Sequence, residues 1–240
     1  VTDAVAPDGP GRETPPDGDA VPDGPPVDGD AVLPLEPAAV AELTGVTARG
    51  GVALFPAEGV YGLAADPGHP GAVERVARLK GRDPAKPSSV LFWRLADALA
   101  AVDGAGDRVL AAMAALLPGP VGVLVPNPAG RFAVATGPDT TTLGVRVPRL
   151  PAPVDAPPVV QTSANRAGGP DPATVDAVPR PIRRACDLVL DRGARPGTPS
   201  TIVDLRGLAE PAGSWRLVRA GALPTDAVDA ALGDLGPRAD

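Results

Sequence analysis

Lys80, Arg82 and Lys86 place three cations in the segment Leu79-Lys80-Gly81-Arg82-Asp83-Pro84-Ala85-Lys86-Pro87-Ser88. Residues two apart diverge on a helix, so Lys80 and Arg82 can serve one anion only if the chain leaves the helix between them, and Gly81 is the residue that permits it. Two converging cations suit a phosphate or a carboxylate. The same residues also fit a solvated helix C-terminus whose basic side chains complement the macrodipole. A second polar cluster, Gln161-Thr162-Ser163-Ala164-Asn165, sets a hydroxyl and an amide beside backbone N–H groups. That set suits phosphate or ribose oxygens, or closes a strand in an Asx or Ser turn.

Other chemistries lack their residues. Neither a Walker phosphate loop nor the Rossmann glycine fingerprint occurs, so a nucleotide would have to be held differently. His69, the one histidine, has no Cys or His companion and reads as a surface loop residue rather than a metal ligand. Ser163 lacks the Gly-x-Ser-x-Gly elbow of a hydrolase nucleophile. The single cysteine, Cys186, excludes an intramolecular disulfide and reads as a small core residue. A net charge of -7 argues against a surface that adheres to nucleic acid as a whole, though not against a local basic groove. No basic-then-apolar leader opens the sequence and no apolar run approaches a membrane span, so a cytoplasmic home is the expectation.

The elements that must position these residues follow from periodicity. Residues 1–30 alternate Asp, Gly and Pro with almost nothing apolar to bury, so a disordered acidic tail is expected ahead of a folded domain at 31–240. Pro37 to Arg49 reads as a helix with Val40, Leu43 and Val46 on one side. Val52-Ala53-Leu54-Phe55 has the continuous apolar pattern of a strand covered on both faces, and it runs into a Gly-rich turn from Pro56 to Leu63. Pro70 to Lys80 is a helix with Gly81 beyond its end, which delivers the basic loop. Further strands are expected at Ser89 to Trp93, Val121 to Val125, Leu143 to Val147, Asp187 to Leu190, Thr201 to Asp204 and Trp215 to Val218. Helices are expected at Ala105 to Leu117, Pro181 to Cys186 and Pro224 to Leu232, while Pro148 to Pro158 carries too many prolines for one. The alternation predicts an α/β fold: one open twisted mixed sheet with flanking helices, some connections being short enough for antiparallel pairs.

Read together, the motifs resemble the YrdC-type threonylcarbamoyl-AMP synthase family. The resemblance rests on Pro56-x-Glu58-x-Val60-Tyr61-Gly62-Leu63 after a strand, Lys80-x-Arg82, Pro118-Gly119-Pro120 before a strand, and Val145-Arg146-Val147. It continues through Ser163-Ala164-Asn165, Ser200-Thr201-Ile202-Val203-Asp204 and Leu217-Val218-Arg219-Ala220-Gly221-Ala222. The resemblance implies a concave positive cavity in which L-threonine, bicarbonate and ATP become threonylcarbamoyl-AMP and pyrophosphate, the product serving tRNA modification at adenosine 37. It implies Lys80 and Arg82 as the catalytic cations. Ser163, Asn165, Ser200 and Arg219 join them at ATP, and Glu58, Tyr61, Arg82, Arg146 and Ser200 are implied at threonine and bicarbonate. Mg²⁺ is expected on the phosphates rather than in a protein cage. The physical requirement fits: a threonine carbamate must approach the α-phosphate of a polyanion, so cations have to offset repulsion first.

Several positions depart from the family pattern. Ala57 and Gly59 stand where it has two threonines, Ser88 where it has leucine, and Gly122 where it has threonine. A lost hydrogen-bond partner for a buried substrate hydroxyl costs on the order of 1–3 kcal/mol, so the identity of the amine is the open part of the reading. Two alternatives stand beside threonine: a related carbamoyl-adenylate enzyme with another amine or carbamoyl donor, and a noncatalytic protein that takes double-stranded RNA into the same cavity.

Overall fold

The computed structural model describes residues 35–239, so the expected acidic tail and the start of the expected domain up to residue 34 lie outside the described residues. In chain order the helices are α1 (Pro37–Thr47), α2 (Pro70–Lys80), α3 (Leu95–Ala101), α4 (Asp107–Leu116), α5 (Ala133–Thr136), α6 (Arg180–Arg184) and α7 (Thr225–Leu232). The strands are β1 (Ala53–Pro56), β2 (Tyr61–Ala65), β3 (Ser89–Leu91), β4 (Val121–Pro126), β5 (Thr142–Arg146), β6 (Val159–Ser163), β7 (Leu188–Val189), β8 (Thr201–Asp204), β9 (Trp215–Arg219) and β10 (Arg238–Ala239). They form one sheet in the order β10-β9-β8-β4-β5-β3-β6-β2-β1-β7. It is mixed, as expected: β1–β7, β3–β5, β4–β8 and β9–β10 pair parallel, and β1–β2, β2–β6, β3–β6, β4–β5 and β8–β9 pair antiparallel.

The two faces of this sheet are covered unequally. Residues in register, and those two apart along a strand, share a face. Val203, Val123, Val145, Val90 and Val160 run in register across β8, β4, β5, β3 and β6, and they pack with Ala98 of α3, Val109 and Met113 of α4, and Val228 and Leu232 of α7. Toward β1 the same face continues through Leu54 and Leu63, which α2 and α6 cover with Val76 and Ile182. The opposite face is covered by α1, whose Val40 and Leu43 pack on Phe55, Leu91 and Val159. This explains the unbroken apolar run of β1: Leu54 faces one helical layer and Phe55 the other.

Beyond the reach of α1 that second face carries Ile202, Gly122 and Arg146 in one row across β8, β4 and β5. Gly144, Ser89 and Gln161 form the next row across β5, β3 and β6. Polar and glycine positions therefore collect where no helix of the described residues covers the sheet.

Some expectations are corrected. The Gly-rich turn expected from Pro56 to Leu63 is shorter than that, because Pro56 still belongs to β1 and Tyr61–Ala65 folds back as β2, antiparallel to it. The strand read to Trp93 ends at Leu91, and helix α3 fills a stretch that the sequence left unassigned. That helix has seven residues, and its run of alanines gives too weak an apolar contrast to reveal it. The four-residue helix α5 was missed for its brevity. His69 caps the start of α2, exposed, with Nε2 at 2.8 Å from the Ala48 carbonyl. Cys186 is half-buried against the α2–α6 core, and burial pushes its thiol up to about 11.

Candidate functional site

Over the part of the sheet that no described helix covers lies a cleft of about 170 Å³, lined by Arg82, Arg146, Arg219, Ser163, Ser200 and Asp171 among others. Three guanidinium groups thus face one carboxylate.

Each arginine arrives by a different route. Arg146 is the last residue of β5 and is only 8% exposed, its Nη1 donating to Gln161 Oε1 (2.8 Å) and its Nη2 to Ser200 Oγ (2.7 Å). It can lie across the sheet because Gly122 opposes it in register: a Cβ there would meet Arg146 Cγ at 3.4 Å and Ile202 Cδ1 at 3.0 Å. Arg219 ends β9 and donates Nη2 (2.7 Å) and Nε (3.2 Å) to the Ser200 carbonyl. Ser200 therefore holds two arginines, one through its hydroxyl and one through its backbone. Burial disfavours the charge on Arg146, the Glu58 carboxylate supports it, and Arg219 opposes it. A guanidinium stays protonated in such a setting, so the cleft stores positive charge that an anion would relieve.

Arg82 comes from the basic loop. Gly81 takes a left-handed φ of 60°, and Arg82 N donates to the Ala77 carbonyl at 3.0 Å, the helix-ending geometry that glycine favours. Arg82 then donates Nη2 to the Lys86 carbonyl (3.2 Å) and to Ser88 Oγ, while its buried Nε has no partner. Lys80, before the glycine, goes elsewhere. Its ammonium is buried, 4% exposed, and donates to the Ser163 carbonyl, the Asn165 carbonyl (3.0 Å) and Asn165 Oδ1 (2.8 Å). Gly81 thus separates the two cations expected at one anion: Arg82 lines the cleft, and Lys80 ties down the Ser-Ala-Asn loop beside it. Burial, with the charge of Arg82, pulls the Lys80 ammonium down to about 8, and Asp171 acts against that.

The remaining expected residues divide the same way. Ser163 and Ser200 line the cleft. Asn165 is turned inward, its Oδ1 accepting from Ser163 Oγ (2.7 Å) and its Nδ2 donating to the Gly169 carbonyl (2.6 Å). Tyr61 is fully buried and does not line the cleft: its hydroxyl places one proton between two acceptors, Asp191 Oδ1 (2.7 Å) and the Gly193 carbonyl (2.8 Å), and accepts from Arg192 N (3.1 Å). Glu58 also stands behind the lining, with Oε1 accepting from Arg149 N (3.3 Å) and Oε2 buried without a partner. Burial raises its carboxyl above the usual range, against the Arg149 N–H and the charges of Arg146 and Arg149.

The sequence reading missed Gln161, Ser89 and Asp171 as cleft residues. Gln161 was legible as the residue two before Ser163 on one strand, hence on the same face. Asp171 had no such signal. Among the described residues no cluster of His, Cys, Asp and Glu could hold a metal, and no helix is long and apolar enough to cross a membrane.

Comparison with known proteins gives the family and the fold. The profile of the Sua5/YciO/YrdC family, described as telomere recombination, matches residues 46–221. The threonylcarbamoyl-AMP synthase of Chromohalobacter salexigens is 34% identical over 174 residues, spanning 70% of this chain and 92% of that protein. The protein of the same name from Thiobacillus denitrificans is 37% identical over 168 residues, 65% of this chain and 86% of that one. Among solved structures, a doubly substituted Pyrococcus abyssi Sua5 superposes with a TM-score of 0.69 at 25% identity, covering 83% of this chain and 61% of that one. Escherichia coli YciO shares the fold, with a TM-score of 0.64 at 19% identity over 78% of this chain and 93% of that one.

Proposed function

Because the chain belongs to the Sua5/YciO/YrdC family, we propose that its cleft unites ATP with the carbamate of an amino acid, which makes it a threonylcarbamoyl-AMP synthase. It is an enzyme of the nucleotidyltransferase type. In this reading the threonine amine combines with bicarbonate, losing water, to give a carbamate. A carbamate oxygen then attacks the α-phosphorus, the bond to the bridging oxygen breaks, and pyrophosphate leaves with that electron pair.

The observation that carries the reading is the meeting of Arg146 and Arg219 at Ser200, with Arg82 on the same cleft. Two polyanionic reactants repel each other, and fixed guanidiniums offset that repulsion without reorganising as charge shifts. Arg82 is assigned to the triphosphate, and Arg146 with Ser200 to the carboxylate and carbamate end. Lys80 and Asn165 keep Ser163 in place for the nucleotide, and Arg219 completes the phosphate site. Glu58 supports Arg146 from behind. Mg²⁺ fits as a passenger on the phosphates, since the cleft offers the single carboxylate of Asp171 and no protein cage. It would neutralise phosphate charge there. The product, a mixed anhydride, would be consumed in the cytoplasm by acyl transfer to adenosine 37 of tRNA.

The test is pyrophosphate release from ATP with Mg²⁺, bicarbonate and L-threonine, each omitted in turn. Release that needs all of them is expected. Release indifferent to threonine would remove this reading and favour another amine.

A further inference from the structure

We propose that Ser88 is a positioning residue, which holds the Arg82 guanidinium at the cleft and away from Glu74. This rests on the reading of the cleft as a triphosphate site. Ser88 stands where the family pattern has leucine, so nothing in that pattern assigns it a role.

Three observations converge on it. First, Arg82 makes no ion pair among the described residues; Nη2 is held by Ser88 Oγ and the Lys86 carbonyl, and Nε is buried and unpartnered. Second, Ser88 is itself fixed from outside the loop. Its N–H donates to the Ala135 carbonyl of α5 at 2.8 Å. Nearby, Gly137 passes so close to the Ala85 carbonyl that a Cβ would stand 2.2 Å from its oxygen. A hydroxyl on an anchored backbone is a fixed acceptor, and a guanidinium bound to it is already placed when an anion arrives. Third, Arg82 and Ser88 also line a second cavity, together with Lys86 and Glu74. A guanidinium freed from Ser88 has room there and a carboxylate to meet. The Ser88 bond biases Arg82 toward the anion cleft instead.

The experiment measures pyrophosphate release against ATP concentration for wild type, Ser88→Ala, Ser88→Thr and the double variant Ser88→Ala with Glu74→Gln. Calorimetric binding of inorganic tripolyphosphate is measured alongside. Ser88→Ala should raise the KM for ATP and weaken tripolyphosphate binding about tenfold, the scale of one hydrogen bond to a charged group, with kcat within about twofold because the anchored backbone keeps the loop in place. Ser88→Thr keeps the hydroxyl and should match wild type, and Glu74→Gln should recover part of the loss. A merely structural role would not give this split between KM and kcat with rescue by threonine. Wild-type KM and tripolyphosphate affinity in Ser88→Ala, a threonine variant as impaired as alanine, or no recovery in the double variant would each overturn the proposal. Tripolyphosphate binding needs neither threonine nor turnover, so it reports on Ser88 even where the assigned reaction fails.

Discussion

Gly59 occupies a position where the family pattern carries threonine, and restoring a side chain there should damage the protein rather than improve it. A Cβ on Gly59 would stand 2.2 Å from the carbonyl oxygen of Thr198, and Gly197 N already donates to the Gly59 carbonyl at 2.9 Å. The obstacle is backbone, so no rotamer change relieves it, and the segment leading to Ser200 has to move. Overpacking of this kind costs up to about 3 kcal/mol. Loss of glycine's freedom in the unfolded chain returns about 0.7 kcal/mol, leaving a net destabilisation of about 2 kcal/mol. For a domain of this size each kcal/mol lowers Tm by about 2–4 °C, so Gly59→Ala should melt roughly 4–8 °C lower in a calorimetric scan. Ser200 lies two residues from Thr198, so its grip on Arg146 and Arg219 should loosen as well, raising the KM for ATP. Gly59→Thr should do no better, despite its hydroxyl. A Gly59→Ala protein with wild-type Tm and KM would show that the segment yields freely, and would refute the close packing as the reason for glycine.

Arg146→Met should cut pyrophosphate release by about 10² or more, the scale of losing one preorganised donor to developing charge, and lower Tm by several degrees, because Gln161 and Ser200 lose a buried donor and Glu58 the charge beside it; wild-type release from the variant would contradict this. Lys80 has a pH signature: its ammonium titrates near 8 in the fold against an ordinary 10.5. Between those values the unfolded chain binds more protons, so the stability of wild type relative to Lys80→Met should climb from about pH 8 to pH 10.5; urea unfolding at pH 7 and pH 10 checks it, and a flat difference would refute it. Tyr61→Phe should lower Tm by a few degrees, since one hydrogen bond worth about 1 kcal/mol is lost to the exposed acceptors Asp191 and Gly193, yet leave the KM for ATP unchanged. A raised KM with normal Tm would return Tyr61 to the substrate.

The strongly patterned parts of the fold were legible from the residues alone. Helix α2 from Pro70 to Lys80 and strand β8 from Thr201 to Asp204 begin and end where periodicity, proline and glycine place them. The α/β class and the mixed sheet follow from alternation of elements. What escaped is what periodicity cannot encode. Helices α3 and α5 are too short and too rich in alanine to show an apolar stripe, and the return of β2 on β1 is governed by burial on both faces rather than by a turn signature. Residue types at the site were legible, but partners were not. Tyr61 and Asn165 have the chemistry of ligand-binding groups and spend it on their own chain.

The departures from the family pattern have a physical sense that only packing reveals. Read as lost hydroxyls, Gly59 and Gly122 suggest a depleted substrate site. In the fold each is a place where another group comes close: at Gly59 the Thr198 carbonyl leaves no room for a Cβ, and at Gly122 the Ile202 side chain and the Arg146 stem would have to shift by a few tenths of an ångström to admit one. Both glycines bear on Ser200, Gly59 through the adjoining backbone and Gly122 through the arginine that donates to the serine hydroxyl. Arg146 and Arg219 repel each other, neither makes a salt bridge among the described residues, and Glu58 supports Arg146 from behind. Holding two such groups at one serine requires a tight frame around them. Glycine supplies it by letting backbone and stems close in, so the chain concentrates positive charge in a cleft where the rest of its sequence is acidic.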